Sequence, residues 1–152
     1  MLINLLLGLP TMLVSLFLQL LLLLLAVRYY RNHVHEIESP SLWSSLVVSA
    51  GVMLLLVIGN LMQIAFWSGL FVYLKEFDTF NTAFYHSMVN FASLGYGDIV
   101  MSEKYRLLGA LEAINGVLMI GVSTATMMAF FQDVMRKTLS ARRQDAGQGS
   151  RS

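Results

Sequence analysis

The chain has no cysteine. A disulfide framework, a thiolate metal site and a cysteine nucleophile are therefore excluded. Charge is also scarce: Asp, Glu, Lys and Arg make up 12% of the 152 residues, where a soluble domain carries about a quarter. The formal net charge of +1 is too small to recruit nucleic acid. No apolar run carries spaced arginines, so a voltage sensor of the usual kind is not expected. There is no plausible catalytic triad, no clustered metal site and no glycine loop with the Lys and Ser/Thr that cradle phosphate, so an enzyme is not expected. What the chain does have is apolar sequence: 57% hydrophobic residues, a mean hydropathy of +0.67 and long uncharged runs. That composition belongs in a bilayer.

Three runs stand out. Met1 to Val27 holds no charged side chain, and about 20 apolar residues suffice to cross a bilayer. A cleaved leader needs a basic start and a shorter apolar core; here the basic residues, Arg28 and Arg31, follow the run, so a retained helix is expected. Pro10 marks a kink or the first turn. Ser39 to Leu74 is the second run, with Ser39-Pro40-Ser41 as its start. It is longer than a bilayer requires, so the helix is expected to project or to break near Gly69. Trp67, Phe71 and Tyr73 are placed in an interfacial aromatic belt, and Asn60 and Gln63 in hydrogen bonds between packed helices. Leu107 to Gln132 is the third run, broken only by Glu112. Its glycines, Gly109, Gly116 and Gly121, mark close packing, with a gating hinge as the other reading of Gly116 or Gly121.

Between the second and third runs, Thr79 to Phe91 is uncharged but too short to span, which suits a re-entrant helix. It is followed by Ser93-Leu94-Gly95-Tyr96-Gly97-Asp98. Glycines on either side of one residue let successive carbonyls point to the same side of an extended strand. Irregular backbone at membrane depth must be buried or line a watery cavity, and a ring of carbonyls can replace the water around a K⁺ ion. The basic residues weigh the 28–38 loop and the C-terminal stretch (Arg136, Lys137, Arg142, Arg143, Arg151) to the cytoplasmic side, leaving the N-terminus and the 75–106 segment outside. The C-terminal stretch, rich in Ser, Gly, Gln and Arg, is expected to be without fixed structure and is too short to hold a ligand-binding domain. Its basic cluster sets topology or attracts anionic lipid. His33 and His35 are expected in a solvated linker.

Helix, re-entrant helix, Gly-Tyr-Gly-Asp and helix together resemble the potassium-channel pore module of the two-transmembrane ion-channel superfamily. Asn60 to Trp67 and Arg106 to Gly116 further resemble short three-helix bacterial proteins of that kind. The resemblance implies an all-α membrane protein with three transmembrane helices, a pore helix and a filter loop, assembled as a homotetramer. It implies an N-terminal helix over 1–28, a cytoplasmic linker over 29–41, and a pore module over 42–132. Within the module fall an outer helix at 42–74, a pore helix at 79–91, a filter at 92–98 and an inner helix at 107–132. A basic tail covers 133–152.

The family's Thr-Val-Gly-Tyr-Gly-Asp pattern falls on residues 93–98. The carbonyls of Ser93, Leu94, Gly95 and Tyr96 would then line ion sites up to Gly97, with the Ser93 hydroxyl at the innermost. K⁺ is the only metal implied, as the permeant species, and no cofactor is. Tyr96 would enter an aromatic cuff, and Asp98 would sit at the outer mouth. Tyr85, His86, Asn90 and Glu112 are candidates for filter support. Proton sensing and an ordinary interhelical hydrogen bond are the other readings of Glu112. Gly116, Val117, Ile120, Thr124 and Met128 are the candidates for the inner pore or its hinge. The chain departs from the family at Ala92, Ser93 and Leu94, and has no proline shortly after Asp98. A non-selective cation channel and a non-conducting regulatory subunit are the alternatives.

Overall fold

The structure is a computed structural model of the whole chain, and residues 1–37 and 42–149 are described. Four helices account for nearly all of them: α1 (Leu2–Ile37), α2 (Leu42–Tyr73), α3 (Phe80–Phe91) and α4 (Arg106–Gly149). Among the described residues there is no strand. Three helices are long and apolar enough to cross a membrane, over Leu2–His33, Leu46–Tyr73 and Arg106–Lys137. The protein is an all-α, multi-pass membrane protein.

Several expected boundaries move. Helix α1 continues to Ile37, so 29–37 is helix and not linker, and Pro10 lies inside it. His33 Nδ1 pairs with the Tyr29 carbonyl at 2.9 Å, as an i, i−4 contact of a helix. The expected helix start at Ser39-Pro40-Ser41 and the side chain of His35 lie outside the described residues. Helix α2 passes through Gly69 without a break. Helix α4 does not stop at 132: residues 133–149 are helical. The nucleus is already formed in the membrane, each further residue needs only propagation, and the stretch has Ala, Arg, Leu and Gln but no proline. The side chains of Arg142 and Arg143, and all of Arg151, lie outside the described residues.

The chain divides into two compact units. In the first (Met1–Leu21 with Ile58–Val122), α1 buries Asn4, Gly8, Thr11, Ser15 and Gln19. Leu6, Leu13 and Leu20 face outward. That inverts the pattern of a soluble helix, because lipid is as apolar as leucine and association rests on close packing and polar contacts. Gln63 Nε2 donates to Gln19 Oε1 at 2.7 Å, buried, and Asn4 Nδ2 donates to the Lys104 carbonyl at 2.9 Å. Trp67 and Phe71 are fully buried, not in an interfacial belt. They lie one turn apart on the face of α2 that packs with Phe77, Ala83 and Leu108. Only Tyr73, 83% exposed, keeps the position expected of the belt.

In the second unit (Leu22–Val57 and the chain from Ser123 on), Ala26 and Tyr30 of α1 share a core with Val48, Val52 and Leu56 of α2 and Val134 of α4.

Candidate functional site

Helix α3 is short because both its ends are fixed locally. Thr79, extended at φ −127°, is its N-cap, and its Oγ1 accepts from the Thr82 amide at 3.2 Å. At the other end Ser93 N donates to the Asn90 carbonyl at 2.8 Å, and Leu94 N donates to the Val89 carbonyl at 2.9 Å. Those two bonds, with Ser93 in the left-handed region at φ 57°, form a Schellman cap. Helix α2 ends in the same way: Lys75 sits at φ 59°, Lys75 N donates to the Val72 carbonyl, and Glu76 N donates to the Phe71 carbonyl. Serine and lysine take a position that usually goes to glycine, so neither stop was visible as a helix signal.

The Schellman cap starts the loop. Positive φ recurs at Ser93 (57°), Gly95 (58°) and Gly97 (74°), while Leu94 and Tyr96 between them are not positive. In an ordinary β-strand successive carbonyls alternate sides. Alternating the sign of φ cancels that alternation and turns successive carbonyls to one side. Glycine takes the positive positions at little steric cost. Ser93 does so at a strain of about 1–3 kcal/mol, held by its cap. Residues 92–98 are all exposed in the single chain, with Leu94 54% and Tyr96 65% exposed. The loop is therefore open to its surroundings on the single chain.

Behind the loop the support residues are tied to it. Tyr85 Oη donates to Asp98 Oδ2 at 2.7 Å. This bond holds the Asp98 carboxyl below its usual range and the Tyr85 hydroxyl above its own. His86 Nδ1 lies 3.0 Å from the Ile99 carbonyl, and Asn90 Nδ2 lies 2.8 Å from His86 Nε2. A carbonyl accepts only, so Nδ1 carries the proton and the neutral imidazole accepts from Asn90 at Nε2. Asn90, His86 and Ile99 thus form one directed chain from α3 to the backbone just past Asp98. His86 also stacks within the buried aromatic group, with ring centroids 4.8 Å from Phe77 and 5.8 Å from Phe71. A cavity of about 440 Å³ lies behind the loop, lined by His86, Asn90, Gly95, Gly97 and Arg106 among others.

Helix α4 faces α3 with Gly109, Glu112 and Gly116. A Cβ on Gly109 would lie 3.0 Å from Asn90 Nδ2, and one on Gly116 would strike the Phe91 carbonyl. Close packing is the role the structure gives Gly116, whereas a Cβ on Gly121 would meet nothing within 4 Å. Glu112 is fully buried. Ser87 and Asn90 approach it, but neither of its oxygens completes a hydrogen bond among the described residues; Ser87 Oγ and both amide atoms of the buried Asn115 are in the same condition. Val117, Ile120, Thr124 and Met128 are all exposed, and Val117 joins Ser93, Ala113, Ile114 and Leu118 around a recess of about 310 Å³.

Sequence reasoning missed Glu76, whose carboxylate accepts from Ser102 N at 2.8 Å and Ser102 Oγ at 2.7 Å. The contact bridges the segments before α3 and after the loop, and no local signal pairs residues so far apart. It also missed the buried stripe of α1, for which the polar residues Asn4, Thr11, Ser15 and Gln19 in a leucine run were the available signal.

Residues 42–133, which cover α2, α3, the loop and most of α4, match a protein family described as ion channel. No curated protein and no solved structure matches the chain.

Proposed function

The chain belongs to the two-transmembrane ion-channel family, and from that premise we propose that it conducts potassium selectively, as a homotetramer, through the backbone carbonyls of Ser93, Leu94, Gly95 and Tyr96. The observation that carries this reading is the alternation of positive φ at residues 93, 95 and 97. One chain supplies one row of carbonyls, and dehydrating K⁺ takes a ring of them. The complete exposure of the loop in the single chain is what a surface awaiting other copies looks like. Four rows around an axis give closed cyclic symmetry.

Each residue then has a role. Asp98 concentrates cations at the outer mouth, and Tyr85 fixes its carboxylate. His86, Asn90 and Glu112 brace the loop from behind. The C-terminal end of α3 turns its partial negative charge toward an ion below the filter. Val117, Ile120, Thr124 and Met128 line the inner pore. The orientation is N-terminus outside and C-terminus cytoplasmic, by the positive charges. The basic residues that follow the third span attract anionic lipid of the inner leaflet.

The test is flux from liposomes of the purified protein, driven by K⁺ or by Na⁺, with Gly95→Ala beside it. A side chain at φ 58° strains the loop. K⁺ flux lost in the variant, with little Na⁺ flux in either, is the expected result. Equal flux of both ions would mean a relaxed filter.

A further inference from the structure

Asp133 lies on α4 within the apolar stretch Arg106–Lys137. It lies one turn before the end of that stretch and is partly exposed, and its partners include a residue of another helix. Tyr30 of α1, only 7% exposed, donates its Oη to Asp133 Oδ2 at 2.6 Å. Lys137, one turn further along α4, lies 3.1 Å from the same oxygen. Its Nζ is also 5.2 Å from the centroid of the Tyr30 ring. Each of the three side chains therefore touches the other two. The Phe130 ring packs on Tyr30 at 4.9 Å, and Val134 is buried in the same core as Ala26, Val52 and Leu56.

The placement of these contacts along α4 gives them consequence. Met127, Phe130, Asp133, Val134 and Lys137 recur at three- and four-residue spacing, the face that meets Tyr30 and its core. Thr124, Met128, Phe131 and Met135 lie off that face and are exposed. Thr124 and Met128 are pore-lining positions in the reading above. One face of the same few turns is gripped while the other is open, so moving the first moves the second. Helix α1 lies outside the residues that match the family, so the grip is an addition to the shared pore module.

We propose that Tyr30 is a positioning residue for the inner pore: through Asp133 and Lys137 it fixes α4 at those turns, and the contact is made in one gating state and broken in the other. This inference rests on the channel reading. It assigns the N-terminal helix a part in gating and none in selectivity.

Single-channel recording in planar bilayers tests it, with Tyr30→Phe, Asp133→Asn and the double variant. Tyr30→Phe removes one hydroxyl and leaves the ring in its core. A hydrogen bond to a charged partner, present in one state only, is large enough to shift the open–closed equilibrium about tenfold. Both single variants should shift open probability by that order and with the same sign. The double variant should add little, because the two residues act through one contact. Unitary conductance and the K⁺-to-Na⁺ permeability ratio should stay at the wild-type values, which a loss of packing in general would not spare. Lys137→Gln, at a partly exposed site, leaves the Tyr30–Asp133 bond in place and should give a smaller shift of the same sign. Open probabilities equal to wild type, or additive shifts in the double variant, would overturn the inference and leave the channel reading standing. Wild-type protein that carries no current would overturn both.

Discussion

The carbonyl of Phe91 occupies the space that a side chain at Gly116 would need. That contact sets α4 against the end of α3, one residue before its C-cap, Ala92. Gly116→Ala should therefore be costly: the backbone at Phe91 cannot rotate aside, and overpacking of this kind costs about 1–3 kcal/mol. Gly121→Ala meets nothing in the chain and should gain about 1 kcal/mol of helix preference. Thermal unfolding of the two purified variants measures the difference. A Gly116→Ala protein as stable as wild type would contradict the close approach.

Ser93 carries two roles that can be separated. Its backbone is strained, at φ 57°, by about 1–3 kcal/mol, while glycine in the same place loses about 0.5–1 kcal/mol of chain entropy. Strain is the larger of the two, so Ser93→Gly should raise thermal stability slightly. The hydroxyl goes with it, so K⁺ flux should fall. A variant less stable than wild type would mean that the hydroxyl, and not the cap, holds this turn.

The Tyr85–Asp98 bond is pH-dependent in a definite direction, and in the proposed channel it lies at the outer mouth. Because the Asp98 carboxyl titrates below its ordinary range, the tie contributes in full above that range and is lost as pH falls through the lowered value. Tyr85→Phe removes the main cause, so the Asp98 titration should move up toward the ordinary range. Inward K⁺ current recorded against external pH reads the shift. An unchanged acid limb in the variant would show that another group titrates there.

Glu112 is buried with both oxygens unsatisfied, and a buried polar group without a partner costs about 1–3 kcal/mol. Glu112→Gln keeps the shape and removes the ionisable group. It should raise thermal stability, and if the carboxylate braces the filter it should lower K⁺ flux at the same time. A rise in stability with flux unchanged would remove Glu112 from the filter support.

The organisation of the chain was legible because a bilayer imposes simple rules. Run length located α1, α2 and α4, and the short uncharged stretch before Ser93 located α3 within a residue, since Thr79 caps it as serine or threonine commonly does. Ends without such a signal were not legible. The tail of α4 has the composition of a flexible segment, yet it extends a helix already nucleated. Trp67 and Phe71 have the composition of an interfacial belt, and only three-dimensional packing against Phe77 and Leu108 shows that they are core. In the loop after α3, Gly95 and Gly97 were informative because their conformation is one that glycine takes freely. The Tyr85–Asp98 and His86–Ile99 bonds join residues 13 apart across the loop, and local sequence pattern does not encode such pairs.

The central claim is selectivity for K⁺ by the carbonyls of residues 93–96. The most direct measurement is the reversal potential of the reconstituted wild-type protein with K⁺ on one side of a planar bilayer and Na⁺ on the other. A potential far from zero, with the sign that K⁺ current alone would produce, is the result predicted. A potential near zero would contradict the claim.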